Sequence, residues 1–458
     1  MYRGGSATGD DPAAWSTASL SDWPTAAAGT LWEAARHGGD GARWDRSTQV
    51  NMHGELETVV VCFGRDANGE LGGSAPASSA DSRPGSTTVA GSSSDGRPVN
   101  LHFVELPSPI QRVSCGLYHS CALASSGELY IWGAGSGGQL GRAKDQASTF
   151  GAVTNALVGA PERVMMGEGA VAVAAGRNHS LAIGASGRAF SWGRAASGQL
   201  GHGVSTAAGG TRRINDADLS EPKQLQAVGG ASELPRFASV SAGEHFSAAL
   251  AHSGQVYTWG SEANGRLGRS SAGQAEPRPL PRSVFGGELV TVVALGWRHA
   301  LARTQSGQVY SWGSGACGEL GRGSRKDASA PALIETLGRE KVEKISAGRA
   351  HSLASTADGF VFAWGDNSSG QLGTGTSDGG PPISPGCVAT AAAAAAAPGG
   401  AGGGGGGGSG GAADDAVGRQ CELRPQAIRS LLDHGPFVAL AAGGSHSAFV
   451  SASGRAFT

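Results

Sequence analysis

No run of eighteen apolar residues occurs anywhere in this sequence, so no membrane-spanning helix is expected. The first twenty residues, MYRGGSATGDDPAAWSTASL, lack the apolar stretch of a secretory leader. Cysteine is sparse: Cys62, Cys115, Cys121, Cys317, Cys387 and Cys421 are spread over 458 residues with no Cys-x-x-Cys pair. That usage excludes a disulfide scaffold and suits a reducing compartment, cytoplasmic or nuclear. Charge of one sign is lacking too. Lys and Arg total 35, Asp and Glu total 37, and the net charge is −2. Without an extended basic field, direct binding of nucleic acid is not expected.

Signatures of catalysis are missing as well. There is no G-x-x-x-x-G-K-[ST] phosphate loop, and stretches such as GAGSGGQLG match one only in composition. No G-x-S-x-G elbow appears. Asp66, Glu262 and Asp366 each follow a Trp-Gly or Phe-Gly pair, where carboxylates serve as solvated turn formers. The expectation is a chain that is not an enzyme, with no catalytic residue, metal or cofactor.

What the sequence does have is internal repetition. GLYHSCALASSGELYIWGAGSGGQLG begins at Gly116, and four further copies begin at Gly176, Gly243, Gly296 and Gly348. A sixth first half, GGSHSAFVSASGRAFT, begins at Gly443. A second glycine falls eleven positions after the first in every copy. The matching second half stands near the other end, as VVVCFGRDANGELG over 59–72. The order is therefore circularly permuted, beginning with a second half and ending with a first half.

Each unit reads as strands. GELYIWG and GQVYSWG alternate apolar with small or polar residues, and a Ser-Gly turn joins two such runs into a hairpin. The linkers, with Pro161, Pro222 and Pro331 followed by apolar residues, supply further strands of a four-stranded sheet. One such sheet cannot bury both faces, but copies stacked in a ring can, and closure removes exposed sheet edges. Phe63, Trp132, Trp192, Trp259, Trp312 and Trp364 are the expected packing anchors between neighbours. The fold class is all-β: a propeller of four-stranded blades, six units, closed by pairing Val59–Phe63 with strands around 440–458.

His119, His179, His299, His351 and His446 share one repeat position. Equivalent positions in different blades are too far apart to reach one ion at about 2.0 Å. These histidines are expected to hydrogen-bond the backbone of their own or the adjacent blade. Neighbouring side chains on a strand point to opposite faces, so His119 and Ser120 are not a base and nucleophile.

The pattern G-x-x-H-S-x-A-L…G-x-[VL]-[YF]-x-W-G-x-G-x-x-G-Q-L-G resembles the repeat of the regulator-of-chromosome-condensation family. The resemblance covers 59–458 apart from insertions. It implies a seven-bladed propeller with a shared first and last blade, whereas six units are found here, so either six blades or a missing seventh unit follows. It also implies a protein partner, and for the founding member guanine-nucleotide exchange on a small GTPase of the Ran class. The basic tail of that member has no counterpart here.

Outside the repeats, 1–52 is expected to be a disordered leader, unless some of Trp15, Trp23, Trp32 and Trp44 dock on the propeller over 53–458. Flexible insertions are expected at about 74–98 and 378–420, the latter with a run of alanines and then glycines.

Within the repeats, Trp297 and Arg298 are the residues that do not recur. Leu117, Arg177, Glu244, Arg349 and Gly444 take the tryptophan's place elsewhere. The Gly-Trp-Arg-His quartet resembles the plant UV-B photoreceptor branch of the family, in which clustered tryptophans beside arginines absorb light. That branch implies three such quartets and this chain has one. The reading is a non-enzymatic interaction scaffold with Trp297 and Arg298 as candidate contacts. The alternatives are an exchange factor and a UV-B receptor.

Overall fold

Antiparallel strands make up nearly all regular structure in the computed structural model. It describes residues 60–63, 86–92, 98–104, 106–142, 157–206, 212–214, 218–227, 233–269, 274–374 and 421–458. Six blades follow one another along the chain. The strands of blade 1 are Ile110–Cys115, His119–Ala124, Leu129–Ala134 and Leu157–Val164, and those of blade 2 are Ala170–Ala175, His179–Gly184, Ala189–Gly193 and Leu219–Gln224. Blades 3, 4 and 5 begin at Phe237–Ala242, Val290–Leu295 and Val342–Ala347 and end at Arg278–Pro279, Ala328–Leu333 and Cys421–Ala427. Blade 6 has three strands, Phe437–Ala442, Ser447–Ser451 and Ala456–Phe457. First strands converge on a central cavity of about 480 Å³, and Val438 and Ala439 of blade 6 face it together with Gln111–Cys115 of blade 1.

The core lies between blades rather than within them. Leu123, Ile131 and Leu140 of blade 1 pack with Ala182, Phe190 and Trp192 of blade 2. The same arrangement joins blades 2 and 3 around Trp259, blades 3 and 4 around Trp312, and blades 4 and 5 around Trp364. Trp132, Trp192, Trp259, Trp312 and Trp364 are each 0% exposed. Phe63 lies on the strand Val60–Phe63. No helix among the described residues is long and apolar enough to cross a membrane.

Two glycines of each unit are imposed by contact. Gly133, after the tryptophan, has φ +109°, and a Cβ there would stand 2.5 Å from the Tyr118 carbonyl oxygen and 2.7 Å from His119 Cα. Gly116 opens the Gly-x-x-His turn, with its amide donating to the His119 carbonyl at 2.8 Å. A Cβ on Gly116 would lie 2.7 Å from His119 Cε1. The imidazole thus folds back over the glycine that precedes it, where no side chain fits.

That imidazole reaches the next blade. Nε2 meets a serine Oγ in the pairs His119–Ser180 at 2.9 Å, His179–Ser247 at 3.0 Å, His299–Ser352 at 2.9 Å and His351–Ser447 at 3.0 Å. Each serine hydroxyl donates back to a carbonyl of the histidine's own blade, Ser180 to Gln139 at 2.9 Å and Ser447 to Gln371 at 2.7 Å. A hydroxyl that donates to a carbonyl accepts from the ring, so the imidazoles are neutral Nε2–H tautomers. Their Nδ1 atoms meet no donor. The Gln139 carbonyl also accepts Trp192 Nε1 at 2.8 Å, and Glu319 likewise serves Ser352 and Trp364, each at 2.9 Å. The histidines were expected to bond backbone; the partner is a side chain that is itself held by backbone. His446 is exposed, and no serine stands against it among the described residues.

Two further expectations take another form. Val60–Phe63 pairs along its length with Leu101–Val104, while the middle strand of blade 6 pairs Phe449 with Phe457 and Val450 with Ala456. Among the described residues the expected hydrogen-bonded seal is therefore not made: Val60–Phe63 and the strands of 440–458 lie in separate sheets. Ala456–Phe457 holds the repeat position that Val60–Phe63 also represents, and a hairpin closed at Gly454 forms at far lower loop entropy than a pairing across the whole chain. Within the expected flexible insertion at 74–98, Ser86–Ser92 forms a strand on Pro98–Val104, as its Thr-Thr-Val run favours. The expected leader over 1–52 and the insertion over 378–420 fall outside the described residues.

Burial pulls the imidazoles down from 6.5, His119 and His351 to about 4, His179 and His299 to about 3. The unfolded chain takes up these protons near pH 6.5 and the folded chain refuses them. Stability is therefore full above pH 7 and falls as the pH drops toward 3, by about 2 kcal/mol for each histidine at pH 5. In urea unfolding at pH 7.5 and pH 5, the pair of changes His119→Phe and Ser180→Ala should reduce the loss between the two pH values by about 2 kcal/mol. An unchanged loss would refute the neutral assignment.

Candidate interaction face

The turn between first and second strands recurs in every blade, and backbone bonds string the turns together. The amide of Glu244 donates to the Trp297 carbonyl at 3.0 Å, that of Trp297 to Gly348 at 3.2 Å, and that of Arg349 to Gly443 at 3.0 Å. The residue after each glycine is thereby set beside its counterpart one blade on. Arg177, Glu244, Trp297 and Arg349, at one repeat position in blades 2 to 5, form a continuous row.

Their side chains interact. Glu244, 3% exposed, takes Arg177 Nη1 on Oε1 at 2.5 Å and Arg298 Nε on Oε2 at 2.9 Å. Arg266 Nη1 lies 3.9 Å from Oε2, and His245 Nε2 lies 3.8 Å from Oε1. Burial pushes the Glu244 carboxyl up, but the hydrogen bond and charge of Arg298, with His245 and Arg177, outweigh it and hold the group below the usual carboxylate range. Burial likewise lowers His245, aided by the nearby arginines and opposed by Glu244. One blade on, the Arg349 guanidinium stacks over the Trp297 indole at 4.7 Å. Trp297 is half-buried, and Arg298 and Arg349 are exposed.

The seam beneath this row departs from the rule. Phe246 replaces the histidine of blade 3, and Ala300 replaces the serine it would meet. Both sit in one apolar cluster. Arg266 stands where other units have Gln or Glu. Its Nε donates to the Ala263 carbonyl at 2.8 Å, and its guanidinium lies 5.7 Å from the Phe246 ring. A cation therefore enters from below, against Glu244, through a seam made apolar to receive it.

The structure thus puts Trp297 and Arg298 on one face but gives them different neighbours. Arg298 joins Glu244, and Trp297 joins Arg349. Sequence reasoning missed Glu244 as the hub and Arg266 as its brace. The available signal was that one seam breaks the repeat at three positions, Phe246, Arg266 and Ala300. Among the described residues no group of three or more His, Cys, Asp and Glu side chains could hold a metal ion.

A family model for the RCC1-like domain matches residues 54–406. The chain belongs to the RCC1-like domain family. The ultraviolet-B receptor UVR8 of Arabidopsis thaliana is 33% identical over 322 residues, 70% of this chain and 63% of that protein. The mitochondrial RCC1 domain-containing protein RUG3 of the same plant is 32% identical over 305 residues, 57% of this chain and 66% of its own length. The chain thus spans slightly less than two thirds of either relative. The E3 ubiquitin-protein ligase HERC2 of Homo sapiens is 38% identical over 205 residues, 44% of this chain and 4% of that protein. Two solved structures share the fold. Human WBSCR16 has a TM-score of 0.60 at 20% identity, covering 86% of this chain and 85% of its own. Yeast RCC1 (Prp20), solved bound to Kap60, has a TM-score of 0.59 at 19% identity, covering 92% and 84%.

Replacing Glu244 with Gln leaves Arg266 buried beside a neutral amide, and the cost should be about 2–4 kcal/mol in urea unfolding. Arg298→Ala, at an exposed end of the same network, should cost no more than about 1 kcal/mol. Equal costs would show that Glu244 is not the hub.

Proposed function

We propose that this RCC1-like propeller is a non-enzymatic protein-interaction scaffold that engages its partner through the row Arg177, Glu244, Trp297, Arg298 and Arg349. The observation that carries this reading is the half-buried Trp297 held under Arg349 beside the Glu244 network. Tryptophan and arginine are the residue types that dominate binding energy at protein interfaces. The row holds three arginines against one buried carboxylate, so it favours a partner that presents acidic side chains. Because Arg298 is ion-paired to Glu244 and Arg349 is stacked on Trp297, these side chains are partly held before docking.

The test takes two steps. Proteins recovered with the parent chain are compared with those recovered with Trp297→Ala and with Arg349→Ala, both checked for unchanged thermal melting. A partner whose affinity falls at least tenfold in both variants is expected, and an identical set at equal affinity would sink the proposal. Nucleotide release from small GTPases of the Ran class is measured alongside. Acceleration that depends on Trp297 would convert the scaffold into an exchange factor.

A second reading, UV-B reception, is favoured by the Arg349–Trp297 stack and by the similarity to UVR8. Against it, arginine and glutamate stand on either side of Trp297 in the row, so no second indole adjoins it there. Under this reading UV-B would dissociate a dimer seen by size exclusion, and Trp297→Phe would abolish the change. Under the scaffold reading irradiation leaves the elution volume unchanged.

A further inference from the structure

We propose that Cys317 of blade 4 and Cys421 of blade 5 form an oxidation-responsive dithiol that closes to a disulfide across the blade seam. Cys317 sits in the loop that follows Trp312-Gly313, and its amide donates to Glu319 Oε2 at 2.7 Å. Cys421 opens the outer strand of the next blade and pairs with Asp366. The loop lies directly on that strand. A Cβ on Gly318 would stand 3.0 Å from Leu423 Cα and 3.0 Å from the Glu422 carbonyl oxygen, and the Gly323 amide donates to Leu423 at 2.8 Å. Burial pushes the Cys421 thiol up, and hydrogen bonding from Cys317 works against it. Both are half-buried, so reagents reach them from one side.

The repeat supplies an independent check on this placement. One blade earlier, the positions corresponding to Cys317 and Cys421 hold Asn264 and Asp327, whose side chains hydrogen-bond at 2.7 Å. Those two positions therefore meet across a seam by construction of the fold. Elsewhere the loop position is Gly137, Ser197 or Ser369, and the strand position is Leu157 or Asp218. Among the described residues, cysteine stands at both ends of this contact in one seam only. Cys121 is fully buried on the second strand of blade 1, and Cys115 lines the central cavity. Among the described residues no third ligand joins the Cys317–Cys421 pair to make a metal site.

The chemistry needs an oxidant, and a small-molecule disulfide such as oxidised glutathione supplies one. One thiolate of the pair attacks a glutathione sulfur, forming a mixed disulfide and releasing one glutathione thiolate. The second cysteine, deprotonated, attacks the protein sulfur of the mixed disulfide. It forms the Cys317–Cys421 bond and expels the second glutathione. Two protein thiols are oxidised, one glutathione disulfide is reduced to two thiols, and the two protons pass to the departing glutathiones or to buffer. The product closes a loop of about 100 residues and staples blade 4 to blade 5, the seam that carries Trp297 and Arg349.

The full chain is equilibrated in buffers of graded reduced and oxidised glutathione, quenched, alkylated and digested with trypsin. A linked peptide joining residues 304–322 to 420–429 is expected, rising with the oxidised fraction and lost on adding dithiothreitol. Oxidation should raise Tm by about 5 °C, reversibly. Cys317→Ser and Cys421→Ser should each remove both effects; if one variant fails to fold, the other serves. Linkage of other cysteines instead, glutathione mixed disulfides that never resolve, or a Tm unmoved by formation of the bond would overturn the proposal.

Discussion

One carbonyl per seam governs the propeller. The Gln139 oxygen accepts both Ser180 Oγ and Trp192 Nε1 from the following blade. Ser180 in turn accepts from His119, which belongs to the same blade as Gln139. The serine hydroxyl, the indole N–H and the ring Nε2 that the seam takes from water each find a partner, and the apolar cluster closes around them. The other constraints descend from this geometry. The imidazole reaches Ser180 only by lying over Gly116, so that glycine has no substitute. The tryptophan reaches the carbonyl only where its strand turns sharply at Gly133, so that residue is glycine too. Blades that cannot bury a face alone thereby become a ring with one repeated joint.

The exception shows how such a joint can be altered without being lost. Between blades 3 and 4 the histidine, its serine and the usual glutamine change together to Phe246, Ala300 and Arg266. Changing the histidine alone would strand a serine hydroxyl, and changing the serine alone would strand a ring N–H. The joint keeps the Trp312 bond to the backbone carbonyl at 3.0 Å and replaces the rest by apolar contact. What it gains is room for a guanidinium at the base of Glu244. A carboxylate so deeply buried holds its charge only because cations approach from three blades.

The repeat was legible because its glycines and tryptophans answer to contacts made identically in each blade. Strand types, blade order and buried tryptophans follow from that pattern with no structural information. The serine partner of the histidine was not legible, because it lies more than fifty residues away and its own repeat position looks like an ordinary strand residue. The seal expected from the permuted ends was misjudged for a related reason. A repeat alignment assigns Val60–Phe63 and Ala456–Phe457 to one position but cannot say which of them the blade 6 hairpin will take. The candidate face was half legible. Trp297 and Arg298 stood out because they break the pattern, while Glu244 and Arg349 looked like noise at a variable position.

That variable position is where function can accumulate. In blades 2 to 5 the residue after the first glycine donates its amide to the turn of the next blade, and nothing in those bonds depends on its side chain. Leu117, Arg177, Glu244, Trp297, Arg349 and Gly444 include apolar, cationic, anionic and aromatic side chains and none at all, yet each unit still closes its turn through the glycine amide. A substitution there changes the surface without touching the joint. From Arg177 to Arg349, neighbouring substitutions on consecutive blades come to lie side by side, although they are separated by about fifty to seventy residues in sequence. The propeller thus brings together a tryptophan, arginines and a glutamate that no local motif encodes, and it holds them on a frame stiff enough for the arrangement to be specific.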